Sequence, residues 1–376
     1  MEKELAQKAR AAGILMIGSN TMGICNPHIN FYCTGTPVLP EAGSVAVAAQ
    51  SGNMGTQLLA FAQDQGIGIR AFCGSGNEAM VTIEDFIESF EKDPLTSSVM
   101  LYIESIKNGR RFFESARRVG KKKPIVLLKG GQSQAGNKAA ASHTGALASD
   151  IHVFDAVCRQ AGIIKVEHPM DLLDLSAAFS SLPLINGKRV AILTMGGGWG
   201  VVTADLCSTH GLAVPELSTE IRKRFDKILP PYWSRSNPID LVGEMNPSIP
   251  MTVMEELCKW DGCDAVINLG VLGRKNFIRR RADMVLKADP TYSPAFLDSV
   301  VQATSEFEQK YIKHIVNLME TYRKPVLGVS FVSGNDRVIH CVNDSSFKAV
   351  FYQTPERAVK ACAKMYEYKR FLARYE

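Results

Sequence analysis

The sequence lacks several things, and each absence narrows its function. No apolar run approaches the roughly twenty residues that a membrane-spanning helix needs, so no transmembrane segment is expected. The opening residues, MEKELAQKARAAG, carry no apolar stretch of the kind a signal peptide has, and a cytoplasmic protein is expected. The nine cysteines form no paired framework. Cys258 and Cys263 lie close together without the second pair a zinc site would require, so free reduced thiols are expected and no metal site. Charge of one sign is also scarce: a net +5 over 376 residues is too little for a nucleic-acid binder. The one dense basic cluster, RRVGKKK at 117–123, reads as a helix end and a solvated turn. No Gly-Lys-Ser/Thr closes a glycine-rich loop, so a P-loop nucleotide site is excluded.

What is present is a repeated alternation. Short apolar runs rich in β-branched residues, at 13–19, 43–50, 68–74, 98–104, 123–129 and 162–166, are separated by amphipathic stretches such as 54–66 and 108–120. A second series begins near 187 with KRVAILTMGGG (188–198) and continues through DAVINLGVLG (264–273) and KPVLGVSFVSG (324–334). Alternating strand and helix patterns imply parallel sheets covered by helices on both faces. The reading is α/β, with two flavodoxin-like three-layer domains meeting near PLING (183–187). The expected boundaries are 39–183 and 184–376, with 1–38 as a helix, a strand and a connecting loop that belong to a larger domain.

Two turns join a strand directly to a helix through small residues, QSGNMG at 50–55 and MGGGWG at 195–200. Such a turn leaves backbone N–H groups pointing outward at the positive end of a helix dipole, which suits an anion. A glycine turn alone is more often a device for close packing. A third feature sharpens the chemistry: KAAASHTGALASD at 138–150 sets His143 among small residues. A histidine that accepts a phosphoryl group must be neutral to attack, and its charged product needs stabilisation away from water. A carboxylate on the other ring nitrogen would fix the tautomer. Glu104, at the end of the apolar run VMLYIE, stands where a strand's carboxyl end would place it beside a ligand crevice. His152, His168, His210, His314 and His340 have no comparable surroundings, and Cys73 and Cys207 read as buried thiols.

Taken together, KAAASHTGALAS, QSGNMG, GSGNEA (74–79), YIESIKNGRRF (102–112), NPIDLVG (237–243) and the late TPERAVKACAKMYEYKRF (354–371) resemble the ADP-forming acyl-CoA synthetases, a branch of the succinyl-CoA synthetase superfamily. The resemblance runs through nearly the whole chain. It implies that His143 is the phosphohistidine and Glu104 its hydrogen-bonding acid. It also implies that Ser51, Gly52 and Asn53 form one phosphate-binding helix start, and Gly196, Gly197 and Gly198 the other. Asn20, Gly76, Asn77 and Glu78 would line the reacting phosphate and carboxylate. The family reaction interconverts acyl-CoA, ADP and phosphate with acid, ATP and coenzyme A. The histidine relays phosphate on a mobile loop, for which small neighbours are suited.

The departures are specific. The family's Gly-Pro-Asn reads Gly18-Ser19-Asn20, Ser149 replaces a glycine, and Ile151 replaces an acidic residue. The 1–38 segment corresponds to the end of a CoA-binding Rossmann-type domain, and no ATP-grasp pattern occurs. The resemblance therefore implies an oligomer with a CoA-binding protein and an ATP-grasp subunit, which would hold coenzyme A and Mg-ADP or Mg-ATP. A catalytically incomplete relative that regulates or scaffolds CoA-dependent enzymes is the alternative. A flavin-binding flavodoxin-like module would explain the turns but not SHTGA.

Overall fold

The computed structural model describes residues 1–136, 138, 150–244, 246–331, 337–342 and 345–375. They form two units, one of residues 1–180 with 370–376, the other of residues 181–369.

In the first unit, α1 (Glu2–Ala11) precedes β1 (Gly23–Asn26) and β2 (Phe31–Thr34). Then follow β3 (Ala42–Ala49), α2 (Gly52–Gln65), β4 (Ile69–Gly74), α3 (Ile83–Lys92), β5 (Ser98–Ile103), α4 (Gly109–Gly120) and β6 (Ile125–Lys129). A helix at Ile151–Ala161 and β7 (Ile163–Val166) complete the sheet, whose order is β2-β1-β4-β3-β5-β6-β7. β4, β3, β5, β6 and β7 are parallel, while β1 pairs antiparallel with both β2 and β4. The sheet is therefore mixed at one edge, where sequence pattern alone implied parallel strands throughout. The parallel part has the doubly wound flavodoxin order, and its strand order reverses between β3 and β5. Ligands of open α/β sheets bind outside the strand carboxyl ends at that switch point.

The run at 13–19, expected as a strand, is none. Gly13 and Gly18 bound it with φ of +68° and +100°, which breaks extended pairing at both ends. Ile14 and Leu15 are exposed, so no neighbouring element rewards a strand there. By contrast, β3, β5 and β6 are covered on both faces, and this is why they read as unbroken apolar runs.

α4 shows how the helices attach. Asn108 caps it by accepting the Arg111 N–H at 3.0 Å, and Phe112, Ser115, Ala116 and Val119 form the buried stripe. On the other side, Arg111 reaches α3, donating to Glu88 from Nε (3.1 Å) and Nη2 (2.8 Å) and to Asp85 from Nη2 (2.6 Å). Arg111, and then the Ser115 hydroxyl, hold the Glu88 carboxyl down at about 2. The folded value lies below the unfolded one, so the unfolded chain binds more protons in the interval between them. The Glu88 contribution is thus complete above the ordinary glutamate range, near pH 4.3, and is lost as pH falls toward 2. Arg111→Met is expected to lower stability at neutral pH, and chemical denaturation should show the difference from wild type shrinking between about pH 4.5 and 2.

The second unit contains β8 (Val190–Thr194), β9 (Ile239–Asp240), β10 (Ala265–Leu269), β11 (Val326–Val329), β12 (Ile339–His340) and β13 (Ala349–Tyr352), in the order β12-β13-β11-β10-β8-β9. Only β12, at the edge, runs antiparallel among these described strands. β9-β8-β10-β11-β13 repeats the flavodoxin order, with its reversal between β8 and β10.

Candidate active site

At the first switch point, β3 ends and Ser51 caps α2, its Oγ accepting the Met54 N–H at 3.4 Å. Gly52 and Asn53 occupy the first turn, whose N–H groups have no partner within the helix. A Cβ at Gly52 would come within 2.3 Å of the Met22 Cγ. That glycine is therefore required by packing, whatever binds beside it.

Glu104 follows β5 directly, as the apolar run implied. Its Oε1 accepts the Tyr102 Oη–H at 3.2 Å, and burial first, then Glu104 itself, pushes the Tyr102 phenol up to about 12. Tyr102 is thus a neutral donor over the working pH range. Beneath Glu104, the buried Lys129 Nζ donates to the Glu104 and Gly130 carbonyls, each at 2.6 Å. Burial pushes this ammonium down, with the Glu104 charge opposing. A Cβ at Gly130 would lie 2.7 Å from the Tyr102 Oη and 3.2 Å from the Glu104 Cγ, so the glycine keeps the space these two groups occupy.

Gln50 carries no motif value in the sequence, yet it is the hub. Its Oε1 accepts the Glu104 N–H at 2.5 Å and the Ser105 N–H at 2.9 Å. Its Nε2 donates to the Ser105 carbonyl and to the Glu78 Oε1, both at 2.8 Å. The only available signal was position, one residue before the Ser51 cap.

The third loop at this edge follows β4. Gly76 has φ +59°, and a Cβ there would be 2.1 Å from the Ser19 carbonyl oxygen, so only glycine fits. Asn77 donates from Nδ2 to the Glu2 Oε1 at 2.9 Å and from its backbone N–H to the Ser19 carbonyl at 2.9 Å. Asn20 lies beside it, its Nδ2 3.4 Å from the Asn77 Oδ1. Glu78 turns inward: it is 5% exposed, and its Oε1 also accepts the Ser75 Oγ–H at 2.9 Å. Burial pushes its carboxyl up. The structure thus brings Ser51, Gly52, Asn53, Gly76, Asn77, Asn20, Glu78 and Glu104 to one end of the first sheet. His143 lies outside the described residues.

In the second unit, Gly196 is the N-cap of the helix Gly197–Thr209. The Thr194 Oγ1 holds the turn, donating to the Gly196 carbonyl at 2.9 Å and accepting its N–H at 3.1 Å. A Cβ on Gly196 or Gly198 would meet nothing within 4 Å, so this backbone is open to approach. Asp240 stands beside Gly197, and its Oδ1 accepts the Val242 N–H at 2.8 Å. Burial pushes the Cys73 and Cys207 thiols up to about 12, which makes them poor nucleophiles. Among the described residues no His, Cys, Asp and Glu cluster could hold a metal ion.

Comparisons with known proteins agree on one group. The family model for the succinyl-CoA ligase like flavodoxin domain matches residues 42–179, and that for the ligase-CoA domain matches 190–274. The chain is 31% identical over 380 residues to acetate–CoA ligase [ADP-forming] I subunit alpha of Pyrococcus furiosus, covering 100% of this chain and 75% of that subunit. It is 36% identical over 247 residues to the acetate–CoA ligase [ADP-forming] of Methanocaldococcus jannaschii, covering 66% of this chain but 35% of that protein. Among solved structures, acetyl-coenzyme A synthetase 1 of Ca. Korarchaeum cryptofilum, in complex with phosphate and ADP, superposes with a TM-score of 0.80 at 27% identity, over 100% of this chain and 75% of that one.

Proposed function

This chain belongs to the family of ADP-forming acetate–CoA ligases, and from that membership we propose that it is the phosphohistidine-bearing part of an ADP-forming acyl-CoA synthetase. The observation that carries the proposal is the first switch point, where the α2 start and the Glu104 carboxylate share one sheet edge. An anion site beside an acid suits a reaction that moves phosphate onto a neighbouring imidazole.

In the proposed sequence, phosphate attacks the thioester carbonyl, the C–S bond breaks, and coenzyme A leaves to give an acyl phosphate. A neutral His143 nitrogen then attacks phosphorus. The P–O bond to the acyl group breaks and the carboxylate departs. Glu104 stabilises the imidazolium character that develops on His143. ADP finally takes the phosphoryl group through a β-phosphate oxygen, giving ATP and freeing His143. Ser51, Gly52 and Asn53 would hold phosphate at one station and Gly196, Gly197 and Gly198 at the other. Asn20, Gly76 and Asn77 would border the acyl substrate.

The nucleotide is proposed to bind an ATP-grasp module outside these 376 residues. Coenzyme A is proposed to bind chiefly a CoA-binding domain, of which the residues before β1 would form one end, β1 and β2 being paired into the first sheet. A cytoplasmic location follows from these substrates, and no described helix is long and apolar enough to cross a membrane.

Mixing experiments test the proposal. The chain alone is expected to show no acyl-CoA formation from acid, coenzyme A and ATP. Addition of CoA-binding and ATP-grasp partners should restore turnover. Full turnover by the purified chain by itself would overturn the division of labour, and a complete assembly without turnover would favour a regulatory or scaffold role.

A further inference from the structure

Gln50 occupies a junction. Its backbone N–H donates to the Tyr102 carbonyl at 3.0 Å, extending the β3–β5 pairing by one step. The next residue, Ser51, caps α2. Gln50 is 7% exposed, and its side chain uses its full hydrogen-bonding capacity, two bonds accepted at Oε1 and two donated from Nε2. Both acceptor bonds and one donor bond fall on the peptide linking Glu104 to Ser105 and its immediate neighbours.

The amide can do this in one orientation only. Turned over, it would aim an NH2 group at two N–H donors and its oxygen at the Glu78 carboxyl. The Glu78 Oε1, which also accepts from Ser75, takes a donor from Gln50 and so selects the working orientation. A fully satisfied buried amide is rigid, because any rotation leaves groups without partners where water cannot replace them.

We propose that Gln50 is a positioning residue for phosphoryl transfer: it fixes the Glu104–Ser105 backbone, and so the bearing of the Glu104 carboxylate, against the anion-binding start of α2, while Glu78 keeps the Gln50 amide the right way round. The proposal rests on the phosphohistidine reading given above and adds a residue that touches no reacting atom. It also gives Glu78 a role in supporting Gln50, where its buried carboxyl faces Ser75 and Gln50.

The test uses the complete assembly with its partner modules and follows His143 phosphorylation from labelled ATP in single turnovers. Gln50→Met keeps the length of the side chain and removes its hydrogen bonds. It is expected to slow phosphorylation by about 10- to 100-fold, the usual loss when a group that orients a reacting residue is removed. KM for phosphate and for acyl-CoA should stay within about twofold, since the anion-binding N–H groups remain. Gln50→Glu loses its donors while the new carboxyl is ionised and regains one when it is protonated. Its rate relative to wild type should therefore rise as pH is lowered, which a purely structural role would not produce.

A folded Gln50→Met chain phosphorylated at the wild-type rate would overturn the proposal, as would a pH-independent ratio for Gln50→Glu. If Gln50→Met does not fold, the pH profile of Gln50→Glu decides. A wild-type assembly that forms no phosphohistidine would instead overturn the functional reading. In that case crystal structures of wild type and Gln50→Met decide the positioning role: a displaced Glu104 carboxylate upholds it and an unmoved one refutes it.

Discussion

Replacing His143 with alanine is expected to remove the phosphoenzyme altogether. In the assembled enzyme, labelled ATP, or acyl-CoA with labelled phosphate, should mark the wild-type chain with a bond that is acid-labile and stable to base, as a phosphoramidate is. The His143→Ala chain should carry no label. Turnover should fall by on the order of five to six powers of ten, the scale seen when a covalent nucleophile is removed and binding alone remains. The expectation follows from the proposed division of the reaction into two transfers, the first onto a neutral nucleophilic nitrogen of His143 and the second from it to ADP. Ser142 and Thr144 are the rival acceptors in the same segment. Their phosphate esters would survive acid. An acid-stable label on either hydroxyl, together with turnover by His143→Ala, would defeat the relay reading.

The second large effect is expected at Glu104. Glu104→Gln should slow formation and decay of the phosphohistidine by about two to three orders of magnitude, the usual loss for one preorganised electrostatic partner. The substituted amide can still meet the Tyr102 hydroxyl, but it cannot balance the charge that grows on the imidazole as phosphate arrives. The protein should remain folded, because the backbone bonds at this position are kept: the Gln50 Oε1 accepts the Glu104 N–H, and the Lys129 Nζ donates to the Glu104 carbonyl. An unchanged melting temperature with kcat and kcat/KM lowered together would fit a loss confined to the transition state. A change in KM for phosphate alone would instead place Glu104 in ground-state binding and contradict the assigned role.

Within this site, what could be read from the chain was local. The helix start at 51–54 was legible because small residues end one apolar run and an amphipathic stretch follows directly, and the structure bears this out at α2, which Ser51 caps. Gly196 to Gly198 were legible in the same way, as a turn whose backbone must come into the open. The end of β5 at Ile103 was legible because both faces of the strand are buried and the apolar run stops where burial stops. The run at 13–19 misled for the complementary reason. Its composition suits a strand, but pairing needs a neighbour, and the chain turns through positive φ at Gly13 and Gly18 while Ile14 and Leu15 stay exposed. The antiparallel edge of the first sheet, made by β1 on β4, was equally silent, since short strands carry little periodic signal.

The amino-acid sequence by itself determined the α/β class, the two strand–turn–helix junctions and the family, because these rest on neighbours in the chain: apolar periodicity, glycine turns and a contiguous SHTGALA segment. Only the tertiary structure decided which residues stand behind Glu104. Gln50, Glu78, Glu104 and Lys129 lie at the ends of, or in loops after, four different strands, and nothing in their local spacing links them. Parallel pairing of β4, β3, β5 and β6 is what brings their carboxyl ends to one edge, the reversal of order between β3 and β5 opens a crevice there, and burial makes each unpaired polar atom costly enough to lock the amide of Gln50 in place.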